Sequence, residues 1–544
     1  MVNRYFNTLR HLTLRQISAR LRFHICKPAP DFSPPPPRRE IAGKWVPPIC
    51  GKEALRGRWR FEFLNDARDL ILPGDWNPTG VSRLWVYNLH YFDDLKSCNA
   101  ADRSDLHREL IVKWIEENPP SSGTGWDPYP TSLRIVNWIK WVMAGNDLPA
   151  AATHSLAVQA RWLLKRIEYH LLGNHLLTNA KALIFAGTFF DGPEAKTWRD
   201  AGQRILRNQL PEQVLADGGH YERSPMYHLL VLEDLLDIVN LCNAYKRQVP
   251  LLWREVIGRM LVWSCLMRHP DGEIPFFNDA STGVAPSPEQ IDRYAEVLGF
   301  EPVKPVKSVC LPDSGYCRAE KGDAILFVDC GPVGPDYQPG HAHADTLSFE
   351  VSVKGKRVFV NSGTSTYERG KERTRQRGSA AHNTIVIDGL DSSEVWAAFR
   401  VARRARTEIL ESDLEGLRFV ISAQHDGYKR LSGNVMHCRT WRLTDSGLEI
   451  GDRVSGRGRH RLEMFFHLHP GVDMHEYCGN IHMSWSDSGQ KIAILHPDSG
   501  VHVSIENSTY HPAFGRTIPN RRIACRVETE LPCKLTTNIE WVKN

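Results

Sequence analysis

Three histidines with polar neighbours lie in one short stretch of the sequence. His341 and His343 are separated by one residue, so in an extended backbone their side chains point the same way, and Asp345 continues that face. His382 precedes another apolar strand. Imidazoles at the ends of neighbouring strands suit proton transfer or metal binding. One polar residue at a strand end is ordinary in a β-sandwich, but three histidines beside Arg377 favour a functional site, with the arginine contacting substrate.

A second candidate cluster lies where the sequence has helical texture. Gly173 breaks one helix, and Asn174 and His175 begin the next. An amide and an imidazole at a helix N-terminus can donate hydrogen bonds to an anion, and the helix dipole adds to the attraction. The alternative is an asparagine N-cap with an incidental histidine.

A tyrosine follows at the start of a further helix. Pro225 fits the first position of that helix, which puts Tyr227 in its first turn. A phenol titrates near pH ~10, too high for an efficient base at neutral pH, so we expect the helix dipole and nearby cations to lower the pKa of Tyr227. Tyr221 is the competing candidate, and it and Glu222 are otherwise expected to bind substrate. The alternative for either tyrosine is a core aromatic residue.

Aromatic residues near a Gly/Pro loop offer flat apolar faces of the kind that sugar rings contact. Trp126 and Tyr129 lie on this loop, and Arg134 follows on an aromatic helix face. Arg134 could pair with a glycan carboxylate or form a structural ion pair.

These residues together fit one reaction, β-elimination across a 4-linked uronate. The enzyme must neutralise the carboxylate, remove the C5 proton and protonate the leaving O4. Asn174 and His175 suit the neutralising role, Tyr227 the acid/base role, and His341 that of its partner.

The segments His-x-His-x-Asp at 341–345 and Ala-His-Asn-Thr at 381–384 resemble the core motif of the heparinase II/III-like polysaccharide lyases. The resemblance extends from about residue 80 to the end of the chain. It implies an α/α toroid followed by an antiparallel β-sandwich, and cleavage of uronate-containing glycans by β-elimination. It also implies catalytic roles for the Asn-His segment, for a tyrosine some fifty residues later, and for the first histidine of the pair. Tyr227 lies 53 residues after Asn174, which favours it over Tyr221.

The same resemblance implies one structural zinc in the sandwich and no organic cofactor. Its ligands map to His343, Asn361 and His382. Asn361 stands where the family pattern has a carboxylate, and a neutral amide is a poorer zinc ligand. The metal would brace His341 and the cleft between the domains.

The period of the hydrophobic pattern alone divides the chain. Residues 41–302 predict an α/α toroid, and residues 303–544 predict short antiparallel strands of a β-sandwich, so the fold class is α+β and multidomain. Residues 1–40 form a basic amphipathic segment and a Pro-rich linker. Helices are predicted at 104–118, 152–172, 176–188, 196–215, 225–246, 250–268 and 286–298.

Composition sets further bounds. The 544 residues are 42% hydrophobic and 24% charged, which predicts two large globular domains. The net charge of +5 favours an acidic partner, here an anionic polysaccharide or oligosaccharide, and no nucleic-acid motif or transmembrane run is present. Twelve scattered cysteines predict reduced, mostly buried thiols.

The basic segment at residues 4–24 predicts an amphipathic helix that either meets a membrane surface or docks on its own domain. It lacks the features of a secretory signal, so we expect a cytoplasmic or inner-face location, with the periplasm or cell envelope as the family-based alternative. The oligomeric state is left open.

Three other functions compete with a lyase. A uronate C5-epimerase would use the same carboxylate neutralisation and proton abstraction but return a proton to C5. A non-catalytic glycan-binding factor in surface polysaccharide biosynthesis is favoured by Asn361. A glycoside hydrolase needs two opposed carboxylates, and nothing in the sequence pairs Glu222 with Asp127.

Overall fold

The computed structural model describes residues 2–70, 74–414 and 418–542. They form an α/α toroid followed by an antiparallel β-sandwich. The α-helices are α1 Val2–Leu9, α2 Leu14–Ile25, α3 Arg83–Tyr91, α4 Ser104–Glu117, α5 Pro128–Met143, α6 Ala150–Lys165, α7 Gly173–Phe189, α8 Pro193–Gln213, α9 Pro225–Ala244, α10 Leu251–Leu266, α11 Pro288–Val297 and α12 Lys371–Arg377.

The helices predicted in the toroid are confirmed, with ends that shift by a few residues. The largest shift is at 152–172, where helix α6 ends at Lys165. Helices α7 and α9 are buried along almost their whole length, so they form the centre of the toroid and their sequences are apolar on nearly every side. Their N-termini therefore have fixed positions.

The strands are β1 Leu55–Gly57, β2 Arg60–Phe63, β3 Asp66–Asp69, β4 Val309–Leu311, β5 Tyr316–Lys321, β6 Ala324–Asp329, β7 Phe349–Val353, β8 Lys356–Phe359, β9 Ile385–Ile387, β10 Val395–Trp396, β11 Arg400–Val401, β12 Thr407–Asp413, β13 Phe419–His425, β14 Met436–Thr444, β15 Gly447–Ser455, β16 Arg459–His467, β17 Val472–Tyr477, β18 Asn480–Trp485, β19 Lys491–His496, β20 His502–Ala513, β21 Arg516–Glu530 and β22 Cys533–Trp541. The main sheets have the orders β12-β13-β14-β15-β22-β19-β18-β17, β20-β21-β16-β9 and β4-β5-β6-β7-β8. Their inner faces share one large apolar core.

The residues of strand β7 alternate between apolar and polar, a pattern that predicts a half-buried strand. The structure corrects this, since both faces of β7 are buried. Its polar face packs against the toroid, where His269 contacts the Glu350 carboxylate at 3.0 Å and the Ser352 hydroxyl at 2.8 Å. Burial raises the pKa of Glu350 to about 7. The alternation therefore marks the contact between the domains.

The Pro-rich stretch at 28–37 lies along the toroid instead of acting as a free spacer. The Arg161 guanidinium donates to the backbone carbonyls of Ser33 and Pro34 at 2.6 and 2.9 Å. The His154 ring contacts the Phe32 carbonyl at 2.9 Å. The polyproline-like backbone leaves its carbonyls free for such contacts, because it makes no internal hydrogen bonds.

The expectation of reduced cysteines is wrong for four of the twelve. Cys50 is bonded to Cys98, and Cys310 is bonded to Cys317 on the neighbouring strand. The other eight are free thiols, of which four are buried.

Candidate active site

The two histidines of the first motif do not share a face, because their segment turns instead of running as a strand. The His341 side chain is 11% exposed and faces the toroid, where its Nδ1 is hydrogen-bonded to the Glu222 carboxylate. His343 is 1% exposed and points to a different set of partners, and Asp345 accepts a hydrogen bond from the Asn278 backbone at 2.8 Å. The expectation of one common face is corrected.

The contact between His341 and Glu222 defines which ring nitrogen is available. Burial opposes ionisation of Glu222, but the charge and hydrogen bond of His341 lower the carboxyl pKa below its usual value. The Glu222 carboxylate accepts the proton of Nδ1, so in the neutral form of the ring the lone pair is on Nε2. No hydrogen bond to Nε2 occurs within the described residues, so this atom can accept a proton.

Tyr227 comes from the opposite domain and stacks on His341. Ser224 caps α9 by accepting from the Tyr227 backbone N–H, which fixes this residue in the first helical turn. The two ring centroids are 3.8 Å apart with planes at 14°. The Tyr227 hydroxyl lies 3.1 Å from the hydroxyl of Tyr367.

The electrostatic expectation for Tyr227 is wrong. Its pKa is raised well above 10, chiefly by burial and also by Tyr367, Asp279 and Tyr129. The Arg373 guanidinium also interacts with this phenol but does not offset its burial. Tyr227 therefore holds its proton at neutral pH.

Asn174 and His175 begin helix α7 beside this pair. The Asn174 side-chain oxygen is buried and has no hydrogen-bond partner among the described residues. The His175 ring stacks 4.4 Å from Tyr129, and its Nδ1 is 3.3 Å from a Glu168 oxygen. Gly173 before them has φ of 55°, and a Cβ there would meet the side chain of Gln338. Asn174, His175 and Tyr129, all singled out in the sequence, therefore lie together at the start of α7.

Tyr129 is partly exposed at this edge of the toroid. Burial raises the pKa of its hydroxyl above the usual range, as does Asp234, while Thr178 and Asn174 partly offset the shift. It therefore remains neutral at pH 7.

Two of the predicted substrate contacts lie in the toroid core. Trp126 is 3% exposed and donates its indole N–H to the Asn118 carbonyl at 3.1 Å. Arg134 is fully buried, lies 3.7 Å over the Trp114 ring, and donates to Gln159 at 3.0 Å. Burial lowers the pKa of Arg134. Neither side chain reaches the cleft, because each completes a buried aromatic cluster.

Arg377 and Tyr221 also differ from expectation. Arg377 is fully buried and donates twice to the Ala342 carbonyl, at 3.0 and 2.7 Å, so it holds the turn between His341 and His343. Burial lowers its pKa to about 9. Tyr221 is 4% exposed and donates to Gln338 at 2.7 Å. Both residues position the loop that carries His341, and Glu222 orients the His341 ring.

The residues predicted to bind zinc are connected one after another by polar contacts. His343 Nε2 is 2.8 Å from Asp279, its Nδ1 is 3.2 Å from His382 Nε2, and His382 Nδ1 is 3.1 Å from the Asn361 side-chain oxygen. Arg373 forms a buried ion pair with Asp279. Burial lowers the pKa of His343 to about 4 and that of His382 to about 3.

This donor set does not fit a three-ligand zinc centre. Zinc ligands must aim at one point from about 2.0–2.3 Å. The Asn361 oxygen lies on the nitrogen of His382 that faces away from His343. Among the described residues, no group of three or more His, Cys, Asp or Glu side chains is arranged to hold a metal ion.

A cavity of about 460 Å³ opens beside the cluster, with Tyr221 in its wall. It does not include Tyr227 or His341. Four arginines line it against two carboxylates, namely Arg10, Arg223, Arg404 and Arg406 against Glu212 and Asp336. An anionic chain that extends from the cluster would meet a favourable field here.

Comparison with known proteins places this arrangement in a family. The description "Heparinase II/III N-terminus" matches residues 110–300, and "Heparinase II/III-like, C-terminal" matches residues 304–542. The chain belongs to the heparinase II/III-like family.

Two relatives and one solved structure show the range of this family. A heparin-sulfate lyase of Bacteroides stercoris is 29% identical over 42% of this chain, and the match spans 37% of that protein. FtsZ-localized protein C of Caulobacter vibrioides is 26% identical over 78% of this chain and 76% of its own length. The crystal structure of heparinase III superposes with a TM-score of 0.71 at 19% identity, covering 87% of this chain and 80% of that one.

Several residues of the cluster in this heparinase II/III-like chain were missed from sequence. Tyr367, Asp279 and Gln338 contact Tyr227, His343 and Tyr221 across 64 to 140 positions of sequence. No local spacing signals such contacts. The signal for Tyr367 is its place in a polar segment between two apolar strands, close to the histidine motifs.

Proposed function

We propose that this protein is a polysaccharide lyase that cleaves a uronate-containing anionic glycan by β-elimination in the cleft between the toroid and the sandwich. The observation that carries the proposal is the stacked pair of Tyr227 and His341. One domain supplies a neutral phenol, and the other supplies an imidazole that is oriented by a carboxylate. The centroids of the two rings are 3.8 Å apart.

The proposed reaction divides acid and base between these two rings. His341 Nε2 accepts the C5 proton as the C5–H bond breaks, and the electron pair forms the C4–C5 double bond. The C4–O4 bond breaks, and Tyr227 donates its proton to the leaving O4. The imidazolium and phenolate that result are adjacent, so a proton returns from His341 to Tyr227 and restores the starting state.

Asn174 and His175 are assigned to the substrate carboxylate. The start of helix α7 supplies the positive end of the helix dipole, and the Asn174 backbone N–H there donates to the Glu222 carboxylate. The two side chains add an amide and an imidazole at the same place. Together they would stabilise the negative charge that develops on the carboxylate as C5 loses its proton.

The test is the ultraviolet absorbance of the unsaturated product, measured with a panel of heparan sulfate, chondroitin sulfate, hyaluronan and alginate. The conjugated C4–C5 double bond absorbs, and neither hydrolysis nor epimerisation creates it. A rise with at least one glycan, lost in Tyr227→Phe, is expected. Solvent deuterium that enters C5 without any rise would establish the C5-epimerase instead.

A non-catalytic glycan-binding factor is the second candidate. One relative that matches 78% of this chain is named for FtsZ localisation and carries no lyase name. Saturable binding of a uronate glycan with neither absorbance change nor deuterium exchange would favour this role over the lyase.

A further inference from the structure

The two helices at the start of the described chain expose an unusual number of large apolar side chains. Nineteen such side chains are exposed in the described residues, and seven of them lie between Tyr5 and Ile25. A surface helix of a globular protein normally turns its apolar face toward the core. Helices α1 and α2 instead expose their apolar side chains, so we expect a partner to cover them.

Helix α2 shows this inversion most clearly. Leu14, Ile17, Leu21 and Ile25 lie three or four residues apart, so they share one face, and Leu14 and Ile25 are 85% and 76% exposed. This apolar stripe runs the length of the helix, whose N-terminus is fixed by a capping box from Thr13.

The opposite side of α2 holds the helix on the protein. The Gln16 side chain donates to the Tyr337 carbonyl at 2.9 Å and is 5% exposed. The Arg166 guanidinium lies 3.5 Å over the Phe23 ring and donates to the Phe23 and Cys26 carbonyls. The apolar stripe is therefore held outward by specific polar contacts.

Helix α1 continues the same surface on the sandwich side. Thr8 accepts a hydrogen bond from the Trp396 indole at 3.1 Å, and Tyr5 packs edge-on against that ring at 4.9 Å. Phe6 and Leu9 remain 64% and 52% exposed. The two helices thus present apolar residues while both domains anchor them.

Charge identifies the partner. Residues 1–30 contain no acidic residue and six basic ones, namely Arg4, Arg10, Arg15, Arg20, Arg22 and Lys27. Without these six cations, the formal net charge of +5 becomes −1 for the rest of the chain. On α2, Arg22 lies at one edge of the apolar stripe and Arg20 at the other, while the Arg15 guanidinium lies 4.6 Å over the Tyr169 ring of the toroid.

We propose that α1 and α2 form a membrane-docking surface for a bilayer that contains anionic phospholipid. Apolar side chains would enter the headgroup boundary while flanking arginines reach the phosphates. Helix α2 is about 18 Å long, shorter than the bilayer core of about 30 Å, so it lies in the plane of the surface. None of the helices in the described residues is long and apolar enough to span a bilayer.

A second copy of this chain is a poorer occupant. Pairing the two stripes would bring six cations of each copy together with no acidic residue on the same segment to balance them. Anionic headgroups supply the missing charge, at about 1 kcal/mol for each basic residue near the surface. The surface is independent of the proposed lyase chemistry.

The test is co-sedimentation of the full chain with vesicles of pure phosphatidylcholine and of equal parts phosphatidylcholine and phosphatidylglycerol. We expect binding to the anionic vesicles that weakens with salt. The triple variant Leu14→Asn, Leu21→Asn, Ile25→Asn should lower the partition coefficient at least about tenfold. The matched control Leu251→Asn, Leu252→Asn changes apolar residues that are 71% and 38% exposed elsewhere on the toroid, and it should bind like the wild type.

Two results would overturn the proposal. One is equal sedimentation of the wild type and a triple variant whose circular dichroism is unchanged, including the case where neither binds. The other is a dimer in light scattering that the triple variant converts to a monomer, which would make the stripe an interface between copies.

Discussion

Two histidines separated by one residue have opposite surroundings in the fold. His341 is partly exposed at the cleft, with one nitrogen on Glu222 and its ring against Tyr227. His343 is buried, and both of its nitrogens are occupied, by Asp279 and His382. The first has a free atom for chemistry and the second has none. Motif spacing therefore identifies the segment, and accessibility separates the two roles.

The largest effect is expected for the stacked pair of Tyr227 and His341. Tyr227→Phe removes the proton donor but keeps the ring that stacks on His341, so the proposed elimination should slow about a thousandfold. Steady-state rates of product absorbance measure it. Tyr367→Phe is the matched control and should stay within about tenfold of the wild type, because Tyr367 contacts Tyr227 and His341 but takes no part in either proposed proton transfer. Equal losses in both variants would contradict the assignment.

Substitutions around the buried His343 should change the stability of the fold. Asp279→Asn leaves the Arg373 guanidinium buried without its charge partner, which should lower the free energy of unfolding by about 3–5 kcal/mol. Urea denaturation followed by circular dichroism measures this change. The control Asp487→Asn removes an exposed partner of Lys356 and should change stability by less than about 1 kcal/mol. Similar small effects of the two substitutions would show that the ion pair of Asp279 with Arg373 does not stabilise the fold.

The fold and part of the site follow from the sequence. The change from helical to strand periodicity divides the domains, and Pro225 with Ser224 places Tyr227 in a first helical turn. Arg134 could not be assigned, because a single arginine on an aromatic face looks the same whether it meets a carboxylate or completes a core. Asp279 was missed because its contacts with His343 and Arg373 are distant in sequence.

The next largest effect is expected at low pH, where the buried histidines His343 and His382 should make the fold less stable. The pKa values of His343 and His382 fall to about 4 and about 3, while the unfolded chain takes up these protons near pH ~6.5. Between these values the unfolded state binds more protons, so stability drops as pH falls, by up to about 1.4 kcal/mol per pH unit for each histidine. Urea denaturation between pH 6.5 and 4.5 should show a shallower slope for His382→Gln than for the wild type. Parallel slopes would mean that His382 is not held neutral.

Metal removal should have the smallest effect. Because Asn361 and His343 lie on opposite nitrogens of His382, we expect dialysis against a chelator to change the free energy of unfolding by less than about 0.5 kcal/mol. Denaturation before and after dialysis checks this, with elemental analysis of the purified protein. One zinc per chain, lost together with stability, would restore the predicted metal site.

The most direct test of the contrast makes one substitution at both positions. His341→Gln and His343→Gln are compared for the rate of unsaturated-product formation per folded molecule and for the free energy of unfolding. We predict that His341→Gln lowers the rate at least about a hundredfold and changes stability by less than about 1 kcal/mol. His343→Gln should cost about 1–3 kcal/mol of stability and keep the rate within about tenfold. The reverse pattern, or the same pattern in both variants, would contradict the division between a chemical and a structural histidine.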